Sequence, residues 1–194
     1  MRSLASNLRR TVAAILIFTA FFGFVYAFVG TGVAQLFFRT TADGSITANG
    51  STLIGQNWNG YASNKILDRQ WFHGRPDADN PLEANGRAGS SAAANLGPRS
   101  RVLVNDVHAL VAAWHEVGVN PTSDLVTTSG SGLDPDISQQ DALVQIPMIA
   151  RATGIAPSRL RSLVVEETHG PQLGFLGSSY INVLQLNEAL ATLR

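Results

Sequence analysis

Cysteine is absent from the 194 residues, which excludes a disulfide framework and a thiolate metal site. Lysine is nearly absent as well, Lys65 being the only one among 14 basic residues, and the 14 acidic residues cancel them. A chain with no net charge has no field to draw a polyanion, so no nucleic-acid partner is expected. Also missing are a serine, histidine and aspartate in a recognisable triad pattern and any His/Asp/Glu group at metal-ligand spacing. His108 and His115 lie seven apart, two helical turns, which does not suit one ion. No catalytic residue and no metal ligand is assigned, and the chain is not read as an enzyme on its own.

The longest absence is of charge. Between Thr11 and Phe38 there is no Asp, Glu, Lys, Arg or His. The apolar run from Val12 to Val29 and beyond exceeds the roughly 20 residues that cross a bilayer. It also exceeds the about 7 to 15 residues of a signal-peptide core, and no A-x-A cleavage pattern follows, so an uncleaved anchor is preferred to a leader. Arg2, Arg9 and Arg10 precede the run, whereas only Arg39 closely follows it. The positive-inside rule then gives a cytoplasmic N-terminus at residues 1–10, a transmembrane segment at 11–38, a connector at 39–52 and an extracytoplasmic domain at 53–194. The expected location is the plasma (inner) membrane, single-pass, with lipid as a partner.

What is present beyond the span is organised around Thr127 to Ser138, a loop punctuated by Gly130, Gly132 and Pro135. The glycines permit positive φ, Pro135 restrains Asp134, and Ser138 with Asp141 three residues on forms a capping box opening a helix. Such a loop can gather N–H groups for an anion, but it lacks the lysine and the glycine spacing of the nucleotide loops. The alternative is a turn that packs on its own domain. Ser129, Gly130, Ser131, Gly132, Asp134, Pro135 and Asp136 are therefore candidates for loop shaping or interaction.

Around this loop the pattern predicts a mixed α and β domain. Leu103, Val107, Leu110, Val111 and Trp114 recur at helical spacing over Arg101 to Val117, with Gly118 as the stop. The helix after Ser138 carries Leu143, Ile146, Ile149 and Ala150 inward and a Pro147 that should kink it, leaving Gln145 beside the kink. A third helix is read from Pro157 to Thr168. A β-hairpin is read from Leu173–Leu176 and Tyr180–Leu184, and a closing helix from Leu186 to Leu193. Trp58, Tyr61, Trp71 and Phe72 are read as a satellite core, and 77–100 as a long loop.

Three blocks carry a resemblance: Leu53-Ile-Gly-Gln-Asn57, Phe72-His-Gly-Arg-Pro76 and Leu125 to Ser138. They are followed by Gln145-Ile-Pro147, Gly174-Phe-Leu-Gly177 and Asn182-Val-Leu-Gln-Leu-Asn187. In this order behind one N-terminal span, the chain resembles the C subunit of the bacterial high-affinity potassium-transporting P-type ATPase, the Kdp complex. The resemblance adds Phe72 and Arg75 to the interaction or loop-shaping candidates. It implies an α+β protein with one membrane helix, acting as an accessory, non-catalytic subunit needed for assembly or stability; the alternative reading is a membrane-tethered extracytoplasmic binding module unrelated to ATPase function. The implied partners are a channel-like potassium-translocating subunit, an ATP-hydrolysing P-type subunit and a small single-span subunit. It also implies a catalytic-chaperone role in which Gln145 contacts ATP within the complex; no cofactor is expected to be held firmly by this chain alone. The chain departs from the family pattern at Met148, where arginine is usual. The topology from the arginines places Gln145 outside the cell and ATP inside, so the two readings conflict.

Overall fold

The structure is a computed structural model and describes residues 2–56, 58, 68–76, 91 and 93–194. It divides into two units, Met1–Ser45 and Ile46–Arg194.

The first unit is helical. Segment α1 (Arg2–Ala20) passes into a π-helical stretch, Phe21–Tyr26, and on into α2 (Ala27–Phe37), with a short α3 (Arg39–Ala42) after it. Ser3–Phe37 is long and apolar enough to cross a membrane, as the uncharged run requires. At 35 residues it is about 52 Å long, more than a hydrocarbon core of about 30 Å requires. Its large apolar side chains are exposed, which suits contact with lipid and not the interior of a small domain.

The second unit opens on a short β-hairpin. This is an antiparallel pair of β1 (Ile46–Thr47) and β2 (Gly50–Ser51). Glu188 holds this hairpin, its Oε1 accepting from Thr47 Oγ1 and Asn49 Nδ2 at 2.9 Å each. The remaining elements are α4 (Arg101–Glu116), a 3-10 turn (Asp124–Val126), β3 (Asp136–Ile137), α5 (Gln139–Thr153), α6 (Pro157–Glu166), β4 (Ile181–Asn182) and α7 (Val183–Ala191). The architecture is α+β, with helices around short two-stranded pairings.

Helix α5 is the axis of the core. Its predicted stripe is correct at Ile146 and Ile149, but Ala142, Gln145 and Met148 are buried as well, so α5 is enclosed on most sides. Met148 is one of the core side chains. Leu160, Leu163 and Val164 of α6, Leu186 and Leu190 of α7, and Trp114 of α4 belong to the same cluster. The Ser138–Asp141 capping box is present in both directions, at 2.8 and 3.2 Å, and Gly154 closes α5 at φ +76°. The helix runs on through Pro147, which is exposed, so water can reach the carbonyl of Leu143 that loses its donor. His108 and His115 are exposed, as surface histidines.

One sequence expectation is corrected. Leu173–Leu176 does not pair with Tyr180–Leu184: Ile181–Asn182 pairs instead with Asp136–Ile137 in the register Asp136↔Asn182, Ile137↔Ile181. The closing helix accordingly starts at Val183. Positive φ at Leu173, Gly174 and Gly177 curls the intervening chain onto itself, so it cannot extend as a strand. Ile181 and Asn182 are both buried, which the solvent-facing strand of an isolated hairpin does not provide. Of the expected satellite aromatics, Phe72 lies in the main core, while Trp58 and Trp71 lean on it with ring centroids 5.3 Å apart. Tyr61, Asn57 and the stretch 77–90 lie outside the described residues.

Candidate functional site

The segment Trp71 to Pro76 has no regular secondary structure, and its Phe72 and His73 are buried. Buried backbone without a strand partner must find its hydrogen bonds elsewhere. Two side-chain amides supply them. Phe72 N–H donates to Asn187 Oδ1 at 2.9 Å, and Asn187 Nδ2 donates back to the Phe72 carbonyl at 2.9 Å. Gln145 repeats the exchange one residue on, accepting from His73 N–H at 2.8 Å and donating to the His73 carbonyl at 3.0 Å. Each exchange is the two-bond pairing that an opposed residue of an antiparallel strand would give. Gln145 Nε2 spends its other proton on the Asp141 carbonyl at 3.1 Å, and both amides are 0% exposed.

His73 stands edge-on to Trp114, with centroids 5.8 Å apart, and its Nε2–H donates to the Asp68 carbonyl at 2.8 Å. Burial pushes its pKa down to about 4, against the raising effect of that carbonyl and of the Asp68 charge. The ring is therefore neutral at pH 7.

Arg75 links this segment to the glycine loop. Its Nη1 pairs with Asp124 Oδ1 at 3.3 Å, and its Nη2 donates to Thr127 Oγ1 and the Thr128 carbonyl at 3.3 Å each. Within the loop, Ser129 Oγ accepts from Gly132 N–H at 2.9 Å, Ser131 Oγ from Leu133 N–H at 3.1 Å, and Asp134 Oδ1 from Asp136 N–H at 3.1 Å. Gly132 takes φ +71°, whereas Gly130 is exposed and not among the positive-φ glycines. Three of the loop's N–H groups are thus bonded to its own side chains and are not presented to an anion.

Its far end is fixed by the first and last blocks. Gly55 N–H donates to the Leu133 carbonyl at 2.9 Å, and a Cβ on Gly55 would stand 2.6 Å from the Asp134 carbonyl oxygen, so only glycine fits there. Val183 N–H donates to the Pro135 carbonyl at 3.0 Å. Asn182 Nδ2 reaches both Asp136 Oδ1 at 3.0 Å and the Thr52 carbonyl at 2.8 Å. Burial raises the pKa of Asp136, opposed by the Asn182 bond; Asp134 adds to the rise and His169 opposes it.

Five of the six blocks, all but Gly174–Gly177, therefore form one hydrogen-bonded frame. Sequence reasoning named Gln145, Phe72, Arg75 and the loop, but gave no role to His73, Asn182 or Asn187. All three lie inside the quoted blocks, and an amide or imidazole within an otherwise apolar run is the signal that could have found them. Among the described residues no group of three or more His, Asp or Glu could hold a metal ion.

An anchored α+β domain with its polar side chains spent on internal bracing has the features of an accessory membrane subunit. Comparison with known proteins specifies which. The family described as KdpC, K+-transporting ATPase, c chain, matches residues 8–192. Curated relatives called potassium-transporting ATPase KdpC subunit include one from Methylorubrum extorquens, 40% identical over 97% of this chain and 98% of its own. Others are from Gloeobacter violaceus, 41% identical over 89% and 88%, and Sorangium cellulosum, 39% identical over 95% and 97%. The chain belongs to the KdpC family, the c chain of the K+-transporting ATPase: a membrane-anchored subunit of a complex and not its catalytic subunit.

Proposed function

We propose that this subunit works as an extracytoplasmic brace of a potassium-importing ATPase, supporting assembly with the channel-like translocating subunit, the P-type subunit and a small single-span subunit. The observation that carries the reading is the state of Gln145. Its amide is wholly buried, and its carbonyl oxygen and both N–H donors are engaged with His73 and Asp141, leaving no donor to offer a nucleotide. The asymmetry of Arg2, Arg9 and Arg10 against Arg39 supports an orientation with the domain on the side away from ATP. Protease added to spheroplasts should digest the domain while the cytoplasmic N-terminus survives; digestion confined to inverted vesicles would reverse the orientation.

Titration of ATP and potassium on the purified complex carrying Gln145→Ala tests the role. The bracing role predicts a lower yield of complex, with the ATP requirement of what assembles unchanged. Direct nucleotide contact, the chaperone role implied by the resemblance, predicts normal yield and a raised ATP requirement.

A further inference from the structure

The curled segment between α6 and β4 is an exposed apolar feature of the second unit that the frame does not use. Residues 171–180 are all exposed and none is charged. Leu173 is 83% exposed, Phe175 74% and Leu176 48%, three large apolar side chains within four positions. Single exposed apolar residues are ordinary, but a group at one tip marks a contact site.

The tip has a fixed shape. Gln172 and Leu176 exchange two backbone hydrogen bonds at 2.9 Å, Gly174 N–H closes on the Pro171 carbonyl at 3.0 Å, and Phe175 N–H on the Gln172 carbonyl at 3.2 Å. Its base is tied by the His169–Tyr180 pairing, with bonds of 2.8 and 3.0 Å and the two rings stacked at 5.1 Å. Leu173 is held at φ +54°, a conformation that costs a β-carbon residue energy and that an unconstrained loop would leave.

These features separate two occupants. A segment that dips into lipid gains from flanking Lys or Arg and needs no particular backbone shape. No Lys or Arg lies in 170–180, and the backbone is stapled. A rigid, neutral, apolar projection gains most from a hollow of matching shape, because its ordering cost is already met. We propose that this tip is a docking knob, with Leu173, Phe175 and Leu176 entering an apolar hollow on another subunit of the ATPase. The proposal rests on the chain's being an accessory subunit and adds the surface by which it docks.

The full chain carrying benzoylphenylalanine at position 175, co-expressed with its companion subunits and irradiated in membranes, should give an adduct with a companion protein. An adduct with lipid alone, or none in assembled complexes, overturns the proposal. In parallel, Leu173→Asn with Phe175→Ser keeps a residue that tolerates the left-handed conformation and removes the apolar surface. Recovery of companions on the tagged chain should fall about tenfold or more, as loss of central apolar anchors does, while thermal unfolding of the chain is unchanged. Undiminished recovery by this variant would refute the knob and leave the accessory role standing. If the wild-type chain itself recovers no companion, the accessory role fails and the knob with it.

Discussion

Replacing Asn187 by leucine is expected to lower the unfolding free energy by about 2 to 6 kcal/mol. The side chains are similar in size, so little cavity opens. What is lost is the exchange with Phe72, whose N–H and C=O would each stay buried without a partner at about 1 to 3 kcal/mol apiece. Against a total stability of about 5 to 15 kcal/mol, that is enough to unfold much of the population. All three tryptophans, Trp58, Trp71 and Trp114, lie in the second unit, so urea titration of the detergent-solubilised chain by fluorescence reads this domain. Asn120→Leu, at an exposed position, is the control and should stay within about 0.5 kcal/mol. Equal effects of the two variants would mean that the amide ladder contributes nothing special.

Acid should act on the neighbouring residue. The His73 pKa falls from 6.5 to about 4 on folding, so between those values the unfolded chain binds a proton that the folded chain does not. Stability from this group is fully present above about pH 6.5 and is lost as the pH drops toward 4. The loss is roughly 3 kcal/mol, from about 1.4 kcal/mol per pKa unit. Asp136, whose pKa is raised by burial, acts in the opposite sense: it favours the folded state at low pH and loses that contribution as the pH rises through its folded value. Unfolding free energies measured from pH 7 to 4 should therefore rise with pH with a slope of about one proton, and His73→Gln should flatten it. A slope unaffected by that substitution would place the acid sensitivity elsewhere. The imidazole should also stay neutral at pH 5 by NMR.

Some of this protein could be read directly because the governing interactions are local. The span follows from a run of side chains without charge, which no later packing can change. The start of α5 follows from Ser138 and Asp141, three residues apart, and the inward face of α4 from a period that a single helix enforces. The glycine-loop block and the Phe72-to-Pro76 block were legible as special, because glycine and proline restrict the backbone wherever they stand.

What the tertiary structure alone decided is who pairs with whom. The sequence pattern pairs Tyr180–Leu184, the stretch that holds β4, with Leu173–Leu176, because neighbours in sequence form hairpins at little entropic cost. β4 pairs instead with β3, where Ile137 and Ile181 are buried together and Asn182 finds Asp136 and Thr52. The frame is of the same kind: Gln145 and Asn187, on different helices, flank Phe72 and His73 and satisfy backbone groups that no strand reaches. No periodicity announces that, since the need for those amides arises only once the segment is buried. Sequence by itself therefore determined the anchor, the helices and the family. The three-dimensional fold determined that Asn182, Asn187, Gln145, Arg75 and the backbone of Phe72 and His73 are joined in one frame, because hydrogen bonds across long sequence separations are chosen by burial and not by local propensity.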